Sequence, residues 1–184
     1  MNGSVFERWA NSLVQEGIVS REDEELYSYG LRQGWLFLLN ISTALVIGWL
    51  MHELTACILF MACYVPLRRM AGGYHARTPF RCYLLGIVLV TAALAAIKWL
   101  PWTMEGALIA TAIASVVIWR LAPVEDENKP LDEEERERYC QKTRVVLCWI
   151  WIGIIGMCIQ KNVVLASTVD LSVIIVAIML LLGV

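Results

Sequence analysis

The sequence predicts an all-α, polytopic membrane protein with about six transmembrane helices and an N-terminal amphipathic helix lying in the membrane interface. Three observations carry that prediction. Of the 184 residues, 59% are hydrophobic and the mean hydropathy is +0.62, whereas a soluble domain is about half apolar. The apolar residues are gathered into long blocks parted by short polar stretches, without the period-two alternation of a membrane β-barrel. The basic residues also fall almost entirely on one side of those blocks.

The elements follow in order. Residues 5–14 put Phe6, Trp9, Ala10, Leu13 and Val14 on one helical face and Glu7, Arg8, Asn11 and Gln15 on the other, an amphipathic helix suited to the bilayer surface. Charges scattered through this stretch leave no unbroken apolar core of the kind a signal peptide carries. Ser20, with Asp23 three residues on, is expected to open a second helix leading into the first span. The spans are expected at 34–51, 54–66, 82–100, 104–122 and 145–159, with the last inside 163–184. Pro66 is taken as the end of the second. Pro130 precedes a helix that begins with Asp132, Glu133, Glu134 and Glu135 and ends with Arg138, Lys142 and Arg144. Acid first and base last suits the helix dipole. This segment reads as a solvated helix leading into the fifth span, with a docking surface for a charged partner as the alternative.

One membrane domain over 1–184 is the economical organisation, with 1–32 cytoplasmic or interfacial and loops at 67–81 and 123–144. Of the 15 Lys and Arg, only Lys98 and Lys161 fall outside if the N-terminus is cytoplasmic, so both long loops are expected in the cytoplasm by the positive-inside rule. A net charge of −2 gives no nucleic-acid footprint. The six cysteines contain no CxxC pair and only two histidines accompany them. No metal site and no cofactor are therefore expected. Every cysteine but Cys82 reads as a small packing hydrophobe.

The informative stretch is Arg68, Arg69, Met70, Ala71, Gly72, Gly73, Tyr74, His75, Ala76, Arg77, Thr78, Pro79, Phe80, Arg81 and Cys82. Thr78 followed by Pro79 marks a helix start, Thr as N-cap and Pro at the first helical position. Cys82 then falls at the end of the first turn, where the helix dipole and Arg81 supply the positive setting that stabilises a thiolate. On an uninterrupted helix, His75 and Cys82 would stand about 10 Å apart. The break at Pro79 instead lets the imidazole fold back as general base and acid. Gly72 and Gly73 permit that turn and a close approach of substrate backbone. One Cys and one His at this spacing is a sparse pattern, and a packing thiol beside a solvated imidazole is the alternative.

RRMAGGYHA, with Cys82 seven positions after the His, resembles the core of the AgrB (accessory gene regulator B) family. APVEDENKPLDEEERERY resembles that family's second cytoplasmic segment, and the likeness extends over the whole chain in length, span number and loop placement. The resemblance implies a thiol endopeptidase of the bacterial cell membrane that processes a small AgrD-type propeptide into a cyclic quorum-sensing peptide. In that reading Cys82 is the nucleophile and His75 the base. The product would be a thiolactone or lactone autoinducing peptide.

Other residues carry two readings each. Arg68, Arg69, Arg77 and Arg81 either set orientation or hold an acidic propeptide tail. Asp170 is either an intramembrane acid at a functional place or the outer end of the last span, with Ser167 and Thr168 beside it; the second is preferred. Gln33, before the first span, is a candidate to reach the site. A small transporter or exporter and a non-enzymatic scaffold are the competing functions. The near absence of charge within the first five spans weighs against transport. The bilayer is the expected surrounding, and a homodimer is a further possibility.

Overall fold

The computed structural model describes residues 5–74, 78–124 and 132–184. Among them are seven α-helices and no β-strand: α1 (Val5–Gln15), α2 (Glu24–Leu50), α3 (Leu54–Ala71), α4 (Pro79–Trp99), α5 (Met104–Leu121), α6 (Glu133–Ile159) and α7 (Val163–Leu181). Six of these, α2 to α7, are long and apolar enough to cross a membrane. The chain falls into two compact units, Met1–Ala44 and Leu45–Val184.

In the first unit, α1 carries the predicted amphipathic pattern. The Phe6 and Trp9 rings, one turn apart, meet edge to face with centroids 6.0 Å apart. Asn11 Nδ2 donates to Glu24 Oε1 at 3.2 Å, which ties α1 to the start of α2. The expected helix start at Ser20 is modified. Its hydroxyl donates to the Asp23 carboxylate at 2.6 Å, and a 3-10 turn over Arg21–Asp23 precedes α2. The side chain that would have capped a backbone N–H is spent on the acid instead.

In the second unit, α7 is the central helix. Thirteen of its residues are buried, from Ala166 to Leu180. Helices α3, α5 and α6 pack against it, which gives it the core position. Around it Leu67 and Ala71 of α3, Ala114 and Ile118 of α5, and Leu147, Ile150 and Ile154 of α6 form one cluster with Val169, Val173, Val176 and Leu180. The outer faces of α4, α5 and α6 are exposed and apolar, as at Val88, Ile109, Ile113, Trp149 and Ile155. That surface suits lipid rather than water.

Two expected boundaries move. The second span does not end at Pro66: α3 runs through it to Ala71. Pro66 removes one backbone donor, but Leu67 and Ala71 beyond it are fully buried, and their packing holds the helical path. The fifth span and the charged helix before it are one continuous α6 of 27 residues. Asp132 caps it, accepting from Glu135 N at 2.7 Å. The loop expected at 123–144 is thereby shortened.

Candidate active site

Cys82 is exposed on the first turn of α4. Sequence dictates the geometry there. Thr78 has extended backbone and its Oγ1 accepts from Arg81 N at 3.3 Å, while Pro79 occupies the first turn. Cys82 N–H closes the first helical hydrogen bond, to Thr78 O at 3.0 Å. The sulfur therefore stands at the N-terminal mouth of a membrane helix, beside backbone N–H groups at the positive end of its dipole. His75 and Arg77 lie outside the described residues.

The chain leading toward His75 is fixed on three sides. Arg68, in the last turn of α3, donates from Nη2 to the Tyr74 carbonyl. Tyr74 N–H donates to Met179 O near the end of α7 at 2.9 Å, and Val124 N–H donates to Ala71 O at 2.9 Å. Gly72 forms an isolated parallel bridge with Val124. Both glycines have left-handed φ, +73° for Gly72 and +105° for Gly73. A Cβ on Gly72 would run into the Val124 carbonyl, and one on Gly73 would come 2.7 Å from Met179 O. Gly183 faces the same contact, where a Cβ would collide with Tyr74 N. The close approach that these glycines permit is thus filled by the protein's own backbone.

One turn before Arg68 on the same face of α3 stands Tyr64. Its phenol interacts with the Arg68 guanidinium and lies within electrostatic reach of Cys82. Its ring stacks on Phe60 with centroids 5.2 Å apart. Sequence reading missed Tyr64. Its i, i+4 spacing to Arg68 was the signal, but an apolar block hid it. Arg69 and Arg81 are exposed.

Two other expected site residues are Gln33 and Asp170. Gln33 is exposed on α2, in the first compact unit. Asp170 is not at a span end. It lies seven residues beyond the start of α7 and is fully buried, so the preferred terminus reading gives way to the intramembrane one. No cluster of three or more His, Cys, Asp or Glu able to hold a metal occurs among the described residues.

Six membrane-length helices, with a surface thiol at the capped mouth of one of them, define a multi-pass membrane protein carrying a candidate nucleophile. The chain belongs to the Accessory gene regulator B (AgrB) family, which it matches over residues 6–181. Membership gives it a role in the agr quorum-sensing system. It is 25% identical over 180 residues to an AgrB-like protein of Clostridium perfringens (strain SM101 / Type A), covering 89% of this chain and 84% of that one. It is 23% identical over 176 residues to AgrB-like protein 2 of Clostridium perfringens (strain 13 / Type A), covering 90% of this chain and 82% of the relative. No solved structure matches.

Proposed function

We propose that the protein is a membrane cysteine endopeptidase that cleaves an AgrD-type propeptide and promotes its cyclisation. The single observation that carries this reading is the exposed Cys82 at the capped first turn of α4, in a chain of the AgrB family.

In the proposed reaction His75 takes the thiol proton and the Cys82 sulfur attacks a propeptide carbonyl. Pro79 has no N–H, and those of Arg81 and Cys82 already donate to Thr78, so the Phe80 N–H is the first-turn backbone donor offered to the developing oxyanion. The carbon–nitrogen bond then breaks, and the proton passes from His75 to the leaving amine of the C-terminal tail. A thioester to Cys82 remains. A thiol or hydroxyl within the propeptide attacks that thioester, its proton returns to the Cys82 sulfur, and a thiolactone or lactone ring is released. Water is the competing nucleophile, so a site closed over by substrate at the membrane surface favours the ring.

The excess of Lys and Arg in the loops supports a cytoplasmic N-terminus and a cytoplasmic site. Exposed Arg69 and Arg81 are the residues offered to an acidic tail. Arg68, engaged with Tyr74, serves first to hold the loop. Co-expression with the propeptide, followed by mass spectrometry, tests the proposal. Cys82→Ala and His75→Ala are expected to leave the precursor intact. Mature cyclic peptide from Cys82→Ala would refute it.

A further inference from the structure

Four polar residues of α7, Ser167, Thr168, Asp170 and Ser172, are completely buried. Three of them are satisfied by their own helix. Ser167 donates to the Val163 carbonyl, Thr168 Oγ1 to Val164 O at 2.7 Å, and Ser172 Oγ to Val169 O at 2.6 Å. A carboxylate only accepts hydrogen bonds, so Asp170 cannot follow them. Neither of its oxygens completes a hydrogen bond, and Thr111 Oγ1 on α5, the hydroxyl that faces it, is also buried without one. Ser115, one turn along α5, is already taken as acceptor by Trp151 Nε1 at 3.0 Å.

Asp170 lies about 10 Å along the axis of a helix about 28 Å long, well inside the hydrocarbon thickness. Among the described residues of the helices packed around α7, the charged side chains lie toward the helix ends. Glu53, Arg68 and Arg69 lie at the ends of α3, Arg81 and Lys98 near the ends of α4, and Glu105 and Arg120 near the ends of α5. The charges of α6 all precede Val145. Along the inner lengths of these helices the remaining titratable side chains are thiols and phenols: Cys57, Cys63 and Tyr64 of α3, Tyr83 of α4, and Cys148 and Cys158 of α6. A bare carboxylate in such a place is severely penalised. A metal cation would require several more oxygen ligands than one carboxyl and one hydroxyl. A proton suits the donor set: the acid O–H donates to Thr111 Oγ1, and the remaining carbonyl oxygen is uncharged.

We infer that Asp170 is a proton-binding site at the core of the bundle, holding one proton in a hydrogen bond from α7 to Thr111 of α5. Release of that proton strands a charge against the packing of α7.

Infrared spectroscopy of the full-length protein in phosphatidylcholine nanodiscs at neutral pH, with isotope-labelled aspartate, tests this. The expected result is a protonated-acid C=O stretch that moves with the label, shifts in Thr111→Val as the hydrogen bond is lost, and is absent in Asp170→Asn. The wild-type label shift and Thr111→Val decide the matter if Asp170→Asn does not fold. An aspartate spectrum of carboxylate bands alone would overturn the inference. So would an acid band that appears only when Na+ and K+ are withdrawn, since the occupant is then a metal cation. An acid band unmoved by Thr111→Val would overturn the pairing.

Discussion

Replacing Gly73 with alanine puts the architecture around Cys82 to a quantitative test. At φ +105° a residue with a side chain is strained, at a cost of about 1–3 kcal/mol. The new Cβ would also sit 2.7 Å from Met179 O and 2.9 Å from Arg68 Nη1. The arginine can swing aside, but the α7 carbonyl cannot. Relief of the clash requires the loop to lift, which breaks the 2.9 Å hydrogen bond from Tyr74 N–H to Met179 O, worth about 1 kcal/mol. That bond is a loss of the lifted state, so the backbone strain is what disfavours the docked loop, by about 1–3 kcal/mol, or roughly 5- to 140-fold in population at 1.4 kcal/mol per decade. Propeptide processing in membrane vesicles, followed by mass spectrometry over time, should slow by about one to two orders of magnitude. The thermal midpoint of the purified protein should change little, because the central cluster around Leu67 and Val173 is untouched. Gly153→Ala is the control: a Cβ there meets nothing within 4 Å, and its rate should match wild type. A Gly73→Ala protein that processes at the wild-type rate would refute the docking argument, and so would one whose slow rate is matched by Gly153→Ala.

Three further outcomes are expected. Ser115→Ala leaves the Trp151 indole N–H without its acceptor and should lower stability by about 1–2 kcal/mol, with Ser115→Ala/Trp151→Phe recovering part of the loss in a thermal melt. Thr78→Ala removes the cap from Arg81 N, about 1 kcal/mol at the mouth of α4, and should slow processing several-fold while Thr78→Ser retains it. Charge reversal at Arg69 should weaken processing and be partly rescued by a propeptide whose acidic tail is made basic. Absence of rescue in the same mass-spectrometric assay assigns Arg69 to membrane orientation alone.

The fold was legible because membrane helices leave long, one-dimensional signals. The apolar blocks located all six membrane-length helices, and Thr78–Pro79 located the start of α4 to the residue. What escaped was set by tertiary packing. Pro66 is a sound local stop signal, yet Leu67 and Ala71 bury themselves against the bundle and carry α3 onward. Gly72 and Gly73 announced a close backbone approach, but only the folded chain identifies Val124 and Met179 as what approaches. Those contacts join residues about a hundred positions apart in sequence in the case of α7, beyond any local pattern. Asp170 was misplaced because Ser167 and Thr168 beside it imitate a polar helix end. Their hydroxyls turn back onto α7 carbonyls instead, and such residues sit comfortably inside a membrane span.

The most direct measurement of the central claim is capture of the intermediate. The purified protein is incubated with a propeptide whose internal nucleophile is replaced by alanine, quenched in acid and digested for mass spectrometry. The expected result is an acyl adduct on the peptide containing Cys82, released by hydroxylamine as a thioester is, and absent in Cys82→Ala. Tail release with no adduct on Cys82, or with the acyl group on another residue, would contradict it.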